Sequence, residues 1–171
     1  MLGLPASAAA QPELELYGNV GWSLVDTDDW ANQATLNPGR LHFGGNAQFL
    51  FARSALRSLQ IGAEVGFQRL LAYDVPLASG AVRVSVEEFH AMGVVRFRTR
   101  SFRWFGEFAV GAMFFDGFTT PGLGMGVGHY LALGEDLRIP VKARANFVFD
   151  IESMMVPLSF YVGYPIGLGG G

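Results

Sequence analysis

From Leu14 onward the chain alternates between apolar and polar positions. In LELYGNVGWSL (14–24), Leu14, Leu16, Val20, Trp22 and Leu24 fall on one side; Glu15, Tyr17, Asn19, Gly21 and Ser23 fall on the other. Alternate residues of a strand share a face, so this period of two predicts a β-strand with one apolar and one polar side. The rhythm recurs in RLHFGGNAQFLF (40–51), LQIGAEVGFQ (59–68), EFHAMGVVRFR (88–98) and FRWFGEFAVGAMF (102–114). It continues in PGLGMGVGHY (121–130), LRIPVKARANFVF (137–149) and VPLSFYVGY (156–164). Each segment has about ten residues, the length a tilted strand needs to cross a bilayer. Pro140 and Pro157 cannot donate to a ladder, so they are expected at strand ends or bulges.

The segment PGLGMGVGHY tests the alternative of a phosphate-binding loop. A dinucleotide fingerprint needs G-x-G-x-x-G between a strand and a helix. After Gly122 and Gly124 the third position is Val127; after Gly124 and Gly126 it is His129. The following residues keep the period of two and form no amphipathic helix. The stretch is therefore a strand with Leu123, Met125 and Val127 on one side and a bare row of Gly124, Gly126 and Gly128 on the other.

The connections alternate in length. DTDDWANQATLNPG, AYDVPLASGAVRVS, DGFTTP and DIESM are the longer set, and RSALR, TRS and GED the tighter set. Barrels of the bacterial outer membrane pair short periplasmic turns with longer external loops. An even number of strands returns both ends to the periplasmic side.

Composition decides little until it is set against this pattern. Half of the 171 residues are hydrophobic and only 16% are charged, yet no apolar run is long enough for a transmembrane helix. A membrane barrel reconciles the two. The glycines decide which face is inside. Gly21, Gly44, Gly62, Gly66, Gly111, Gly124, Gly126, Gly128 and Gly163 lie on the polar face. On a solvated outer face they would weaken strands for no gain. Inside an eight-stranded barrel, just wide enough to be filled by side chains, they make room. The apolar face, rich in Phe with Trp22, Trp104 and Tyr164 near strand ends, then faces lipid. A soluble, lipocalin-like barrel with the faces inverted around an apolar ligand is the competing arrangement. The fold class expected is all-β: a closed, antiparallel, up-and-down transmembrane barrel of eight strands.

An inward polar face brings charges together. With no side chains on Gly124, Gly126 and Gly128, Glu107 on the fifth strand is expected to reach across the sixth to Lys142 and Arg144 on the seventh. Glu64 and Arg96 fall at a similar depth, with His42 and His90 above. Such a network of Glu64, Arg96, Glu107, Lys142 and Arg144 must be paired to be tolerated inside. It is expected to be a structural plug; a proton path, gate or narrow pore is the alternative.

The eight alternating segments, the long and short loops and VPLSFYVGY near the end resemble the small eight-stranded outer-membrane barrels of OmpA-transmembrane-domain or OmpX type. The resemblance spans residues 13–168. It implies an integral outer-membrane location and contact with outer-membrane lipid and lipopolysaccharide. It also implies delivery by the barrel assembly machinery, and a monomer. Such barrels usually end on an aromatic residue, whereas here PIGLGGG follows Tyr164.

Other features add less. MLGLPASAAAQPE has an A-x-A pair at Ala8 and Ala10. Residues 1–10 are expected to be a signal-peptide remnant or a disordered leader, and residues 11–171 a single barrel domain. A net charge of −3 gives no case for nucleic acid, and with no cysteine there is no disulfide or thiolate metal site. No cofactor is expected. Asp26, Asp28 and Asp29 beside Trp30 lack the spacing of a calcium loop and are expected to be solvated. Arg53 and Arg69 fall on the lipid face near opposite ends, placed to snorkel to headgroups. Some outer-membrane barrels are lipid-modifying enzymes. A deacylase-like site would use His129, but Leu131 stands where a serine is wanted, and neither Ser153 nor Ser159 lies in a matching motif. No catalytic residue is expected.

Overall fold

The structure is a computed structural model that describes residues 12–29, 33–52, 58–70, 73–77, 80–99, 101, 103–134, 137–149 and 154–167. Among these, ten strands form: β1 (Glu13–Asp29), β2 (Gln33–Ala52), β3 (Leu59–Leu70), β4 (Tyr73–Leu77), β5 (Gly80–Val84), β6 (Glu87–Arg98), β7 (Trp104–Phe115), β8 (Phe118–Leu133), β9 (Leu137–Phe149) and β10 (Met154–Gly167). Eight of them close into an antiparallel barrel in the order β1-β10-β9-β8-β7-β6-β3-β2. Closure is made by β1, which pairs with β2 on one side and with β10 on the other, from Glu13 opposite Gly167 to Asp26 opposite Met154. Every neighbour in the barrel is also a neighbour in sequence, apart from β1 with β10 and β3 with β6.

Seven of the eight alternating segments lie wholly within barrel strands, and the fifth does so from Trp104 onward. The connections differ from expectation in three places. AYDVPLASGAVRVS, expected as a loop, contains the separate hairpin β4–β5, with Tyr73 opposite Val84 and Leu77 opposite Gly80. DGFTTP, expected among the longer links, is a tight turn: Phe115 already pairs with Phe118 across Asp116 and Gly117. Gly117 has φ of 91°, a left-handed conformation that glycine takes without steric cost. The first connection is an extension of the sheet, since β1 and β2 stay paired to Asp29 opposite Gln33, past a register shift between Ser23 and Val25. Two long hairpins, β1–β2 and β4–β5, thus stand at one end, and the chain ends of the barrel lie at the other.

The two prolines act on one seam. The β9–β10 ladder skips from Met155 opposite Val148 to Leu158 opposite Ala145, which is the position of Pro157. It stops at Val162 opposite Val141, beside Pro140. Each proline removes a donor where the ladder fails. Both sit inside their strands, each the fourth residue and without a register shift, so the strand ends or bulges expected of them are replaced by a gap and an early stop in one ladder.

The wall has the predicted orientation. Val20, Trp22, Phe43, Val65, Phe89, Phe97, Trp104, Phe108, Val110, Val127, Phe160 and Tyr164 point outward and are exposed. Glu15, His42, Gln48, Gln68, Arg96, Lys142 and Ser159 point inward and are buried. The inverted, soluble arrangement is thereby excluded. A bare apolar wall in water would be a large unsatisfied cost; in a bilayer it meets hydrocarbon, and every paired strand satisfies its backbone internally. The bore is not wholly polar. Leu50, Met92, Val94, Ala109, Met113 and Val148 form an apolar cluster inside it. Met92 and Val94 share the inner face of β6 with Arg96, Ala109 and Met113 that of β7 with Glu107, and Val148 that of β9 with Arg144, so apolar and charged groups fill the bore together.

A charge placed on the outer wall should report depth. Val110→Arg, near the middle of β7, is expected to cost about 2–4 kcal/mol, and Leu133→Arg, at the end of β8, only about 0–1 kcal/mol. Urea midpoints in micelles check this; equal losses would contradict the assigned wall.

Candidate functional site

The distinctive site of this molecule is its bore. Starting at the chain-end mouth, Arg98 donates to Glu13 at 2.7 Å and to the Tyr130 hydroxyl at 2.6 Å. Both ions of this first pair keep some exposure, with about a fifth to a quarter of each side chain open. Tyr130 donates to Glu15 at 3.1 Å, and Tyr17 also donates to Glu15, at 2.5 Å. Arg96 lies above them, fully buried. It is 2.7 Å from Glu15 and 3.0 Å from Glu107, donates to Gln48 and Tyr130 at 2.8 Å each, and stacks its guanidinium over Phe105.

Glu107 is the hub. Its Oε2 accepts from Arg96 and from Gln48, and its Oε1 accepts from Lys142 at 2.8 Å and Arg144 at 3.3 Å. Arg144 also donates to Glu64 at 2.7 Å, and Lys142 to Glu64 at 3.4 Å. Lys142 rests on the rings of Tyr17 and Tyr161. Above Glu64, His90 bridges two carboxylates, with Nε2 3.2 Å from Glu64 and Nδ1 3.0 Å from Glu88. The buried carboxylates Glu15, Glu64, Glu88 and Glu107 face Arg96, Lys142 and Arg144. An imidazolium at His90 would make the set neutral.

The bare row of β8 explains how this closes. In the ladder Glu107 stands opposite Gly126, and Gly126 stands opposite Arg144. The acid on β7 and the base on β9 therefore meet directly over a residue with no side chain. The space above Gly124 is filled by the Arg144 guanidinium, and the space above Gly128 by the Phe105 ring. Any side chain at either position would have to displace one of these groups.

The structure brings Glu64, Arg96, Glu107, Lys142, Arg144 and His90 into one contiguous set. It divides them differently from expectation. Arg96 pairs with Glu15 and Glu107 and not with Glu64, because it stands opposite Glu107 on β7 and opposite Gln60 on β3, four residues nearer the chain-end mouth than Glu64. His42 stands apart, its ring nitrogens 2.9 Å from the Ser23 hydroxyl and 2.8 Å from the Ser159 hydroxyl. The sequence reasoning passed over Glu15, Glu88, Gln48 and Tyr130. Their inward register was visible, but which cations they meet across the bore was not.

The remaining candidates lie elsewhere. His129 points outward and packs edge-on against Trp104, ring centroids 4.5 Å apart, with no bulge in β8 to turn it inward. Arg69 is half exposed on the wall, 3.5 Å from Glu87. Residues 1–10, Trp30, Arg53, Ser153 and the tail 168–171 lie outside the described residues. Among the described residues, no group of three or more His, Asp or Glu side chains is arranged to hold a metal ion.

No protein-family model matches the chain, and no curated protein matches it in sequence. Solved structures share its architecture. Ail, the attachment invasion locus protein of Yersinia pestis, in complex with the heparin analogue sucrose octasulfate, is 12% identical, with 91% of this chain and 99% of that one covered and a TM-score of 0.57. The Yersinia pestis outer membrane protein Ail in a phospholipid bilayer nanodisc gives 11% identity, 89% and 99% coverage and a TM-score of 0.51. Neisserial surface protein A gives 12% identity, 88% and 96% coverage and a TM-score of 0.52. At these identities the likeness is one of fold. The fold is that of the small eight-stranded β-barrels of the outer membrane.

The hub can be tested by two substitutions. Glu107→Ala removes one of two carboxylate partners from each of three buried cations and is expected to cost about 3–5 kcal/mol. Glu107→Gln keeps an acceptor oxygen and should cost clearly less. Equal urea midpoints in micelles would mean that the network does not hold the barrel together.

Proposed function

We propose that this chain is an integral outer-membrane barrel of the OmpA-domain or OmpX kind. Its role is structural or surface-interacting, its interior is plugged, and it performs no catalysis. The observation that carries the reading is the combination of an outward apolar wall with a bore filled by mutually paired ions. A channel needs water along its axis. Here Arg96, Lys142 and Arg144 occupy the bore and spend their donors on carboxylates and on Gln48. The barrel works as a monomer, surrounded by outer-membrane lipid and lipopolysaccharide and delivered by the barrel assembly machinery. Its long-hairpin end faces outward.

Two observations weigh against a lipid-modifying enzyme. Among the described residues, the Ser23–His42–Ser159 chain has no carboxylate to orient the histidine, and both hydroxyls are buried behind an unbroken β1–β10 ladder. His129 faces lipid beside Trp104 with no hydroxyl group as its partner in the described contacts.

The external end carries Asp26, Asp28, Asp29, Asp74, Glu87 and Asp116 against Arg40, Arg69 and Arg83. This sign suits a cationic or neutral partner and opposes a sulfated sugar such as the one bound to Ail in its crystal structure. The folded barrel is therefore expected to pass through a heparin column at low salt; retention there would contradict an acidic external face.

The reading as a whole is tested by refolding. Urea-unfolded chain diluted into micelles is expected to give a compact band that shifts on boiling, and dilution into plain buffer should not. The same barrels in planar bilayers should give no discrete conductance. A soluble monomer in buffer would sink the membrane reading, and stable single-channel steps would sink the plug.

A further inference from the structure

The rim of the barrel at the long-hairpin end holds an aromatic pair that the ion network does not use. The tight turn after β7 sets Phe115 opposite Phe118, the last ladder pair of β7 and β8. Their rings stack, with centroids 4.8 Å apart and planes 11° from parallel. Phe115 continues the inner face of β7 after Glu107 and Met113, and it packs on the apolar cluster of the bore. Phe118 continues the inner face of β8 beyond the buried Thr120 and is 47% exposed. The pair therefore faces the barrel axis and not lipid. Glu88 stands opposite Phe115 on β6, and Gln68 opposite Glu88 on β3. One residue along from these two, on the outer wall, Arg69 pairs with Glu87. An ion pair on that wall marks the level at which the barrel leaves hydrocarbon, so the aromatic pair lies at the membrane surface.

Acceptors and negative charge accompany the stack. Asp116 is exposed in the turn itself. Glu88 and Gln68 are fully buried, and among the described residues neither Glu88 Oε2 nor Gln68 Oε1 has a hydrogen-bond partner. Two acceptors without donors thus share a row with the aromatic pair at the mouth of the bore. An aromatic face attracts a cation through its quadrupole, and carboxylates close by add to the attraction. A guanidinium suits this setting best: it is planar and stacks on a ring, it pairs with carboxylates, and it is more weakly hydrated than an ammonium. A sulfated or phosphorylated ligand would be repelled by Asp116, and an acyl chain would supply no donor. We propose that this rim seats an arginine side chain of an extracellular partner protein, with its guanidinium on the open face of Phe118, Asp116 at the turn and Glu88 buried next to the stack. The proposal rests on the reading that the long-hairpin end faces outward, and it gives the cationic partner expected there a place and a residue type.

The probe is a fluorescent hexa-arginine peptide, titrated at low salt into barrels refolded in an uncharged detergent and followed by anisotropy. Wild type is expected to bind it, and Phe118→Trp to bind it at least as tightly. Phe118→Leu keeps the charge of the barrel and an apolar side chain but loses the ring face, and should weaken binding about fivefold. Hexa-lysine, of the same charge, should bind wild type more weakly than hexa-arginine. Phe118 is exposed, so its variants should keep the wild-type urea midpoint; if Phe118→Leu gives no compact band, Asp116→Asn leaves the stack intact and should also weaken binding. Equal binding by wild type and both variants would assign the peptide to the general acidity of the end and overturn the seat. Equal binding of hexa-lysine would overturn the choice of arginine. Folded wild type that binds neither peptide would overturn the proposal and leave the membrane reading standing, whereas a wild-type chain that never gives the compact band would overturn both. Orientation is read separately. The chain has no cysteine, and Ser85 is exposed in the link between β5 and β6. Ser85→Cys on intact cells should react with a bulky maleimide; protection there, with labelling after lysis, would overturn the outward end and the extracellular partner with it.

Discussion

Charges sealed inside a narrow barrel have no water to turn to, and the architecture follows from that constraint. An isolated ion in such a place costs several kcal/mol even after relaxation. Arg96, Lys142 and Arg144 are tolerated because Glu15, Glu64 and Glu107 reach them across the bore at 2.7–3.4 Å. Glu64 and Glu107 each serve more than one cation, and Gln48, Tyr17 and Tyr130 take up remaining donors and acceptors. Removing one member therefore strands several others.

Glycine makes the network possible. Side chains from opposite walls compete for the same small cross-section, so a long group on one strand requires an empty site on its neighbour. β8 supplies a row of such sites, and Arg144 and Phe105 occupy the space above Gly124 and Gly128. The same logic holds on β3, where Gly66 yields its space to the His90 ring. Leu50, Met92, Val94, Met113 and Val148 fill the part of the bore that the ions leave. The interior is thus a small packed core turned inside out, with its apolar share inside and a larger apolar surface outside.

The outer wall obeys a different rule. It gains nothing by packing against itself, because lipid is as apolar as its side chains. What it must do is leave no backbone group unpaired in hydrocarbon. The β9–β10 seam, where Pro157 interrupts the ladder and Pro140 stands beside its end, is the weakest line by that criterion.

The orientation of nearly every strand residue was decided by the sequence alone. Period two admits only two assignments of faces, and a glycine-rich polar face belongs inside. That is why Glu64, Glu107, Lys142 and Arg144 could be named together: Glu107 and the two bases flank one bare strand, a short-range relation that pairing of neighbours fixes. The links were less legible. Tyr73–Leu77 and Gly80–Val84 are too short to announce a hairpin against the surrounding polar residues, and DGFTTP hides a two-residue turn within strand-forming neighbours. Only the tertiary structure decided who meets whom across the bore. Arg96, already opposite Glu107 on the next strand, finds Glu15 on the far wall; Lys142 reaches Glu64, and Gln48 joins Arg96 to Glu107. The physical reason is the slant of the strands. Closure of the barrel offsets each strand along the axis from the next, so residues far apart in register come to one level, and no local pattern in the chain records that offset.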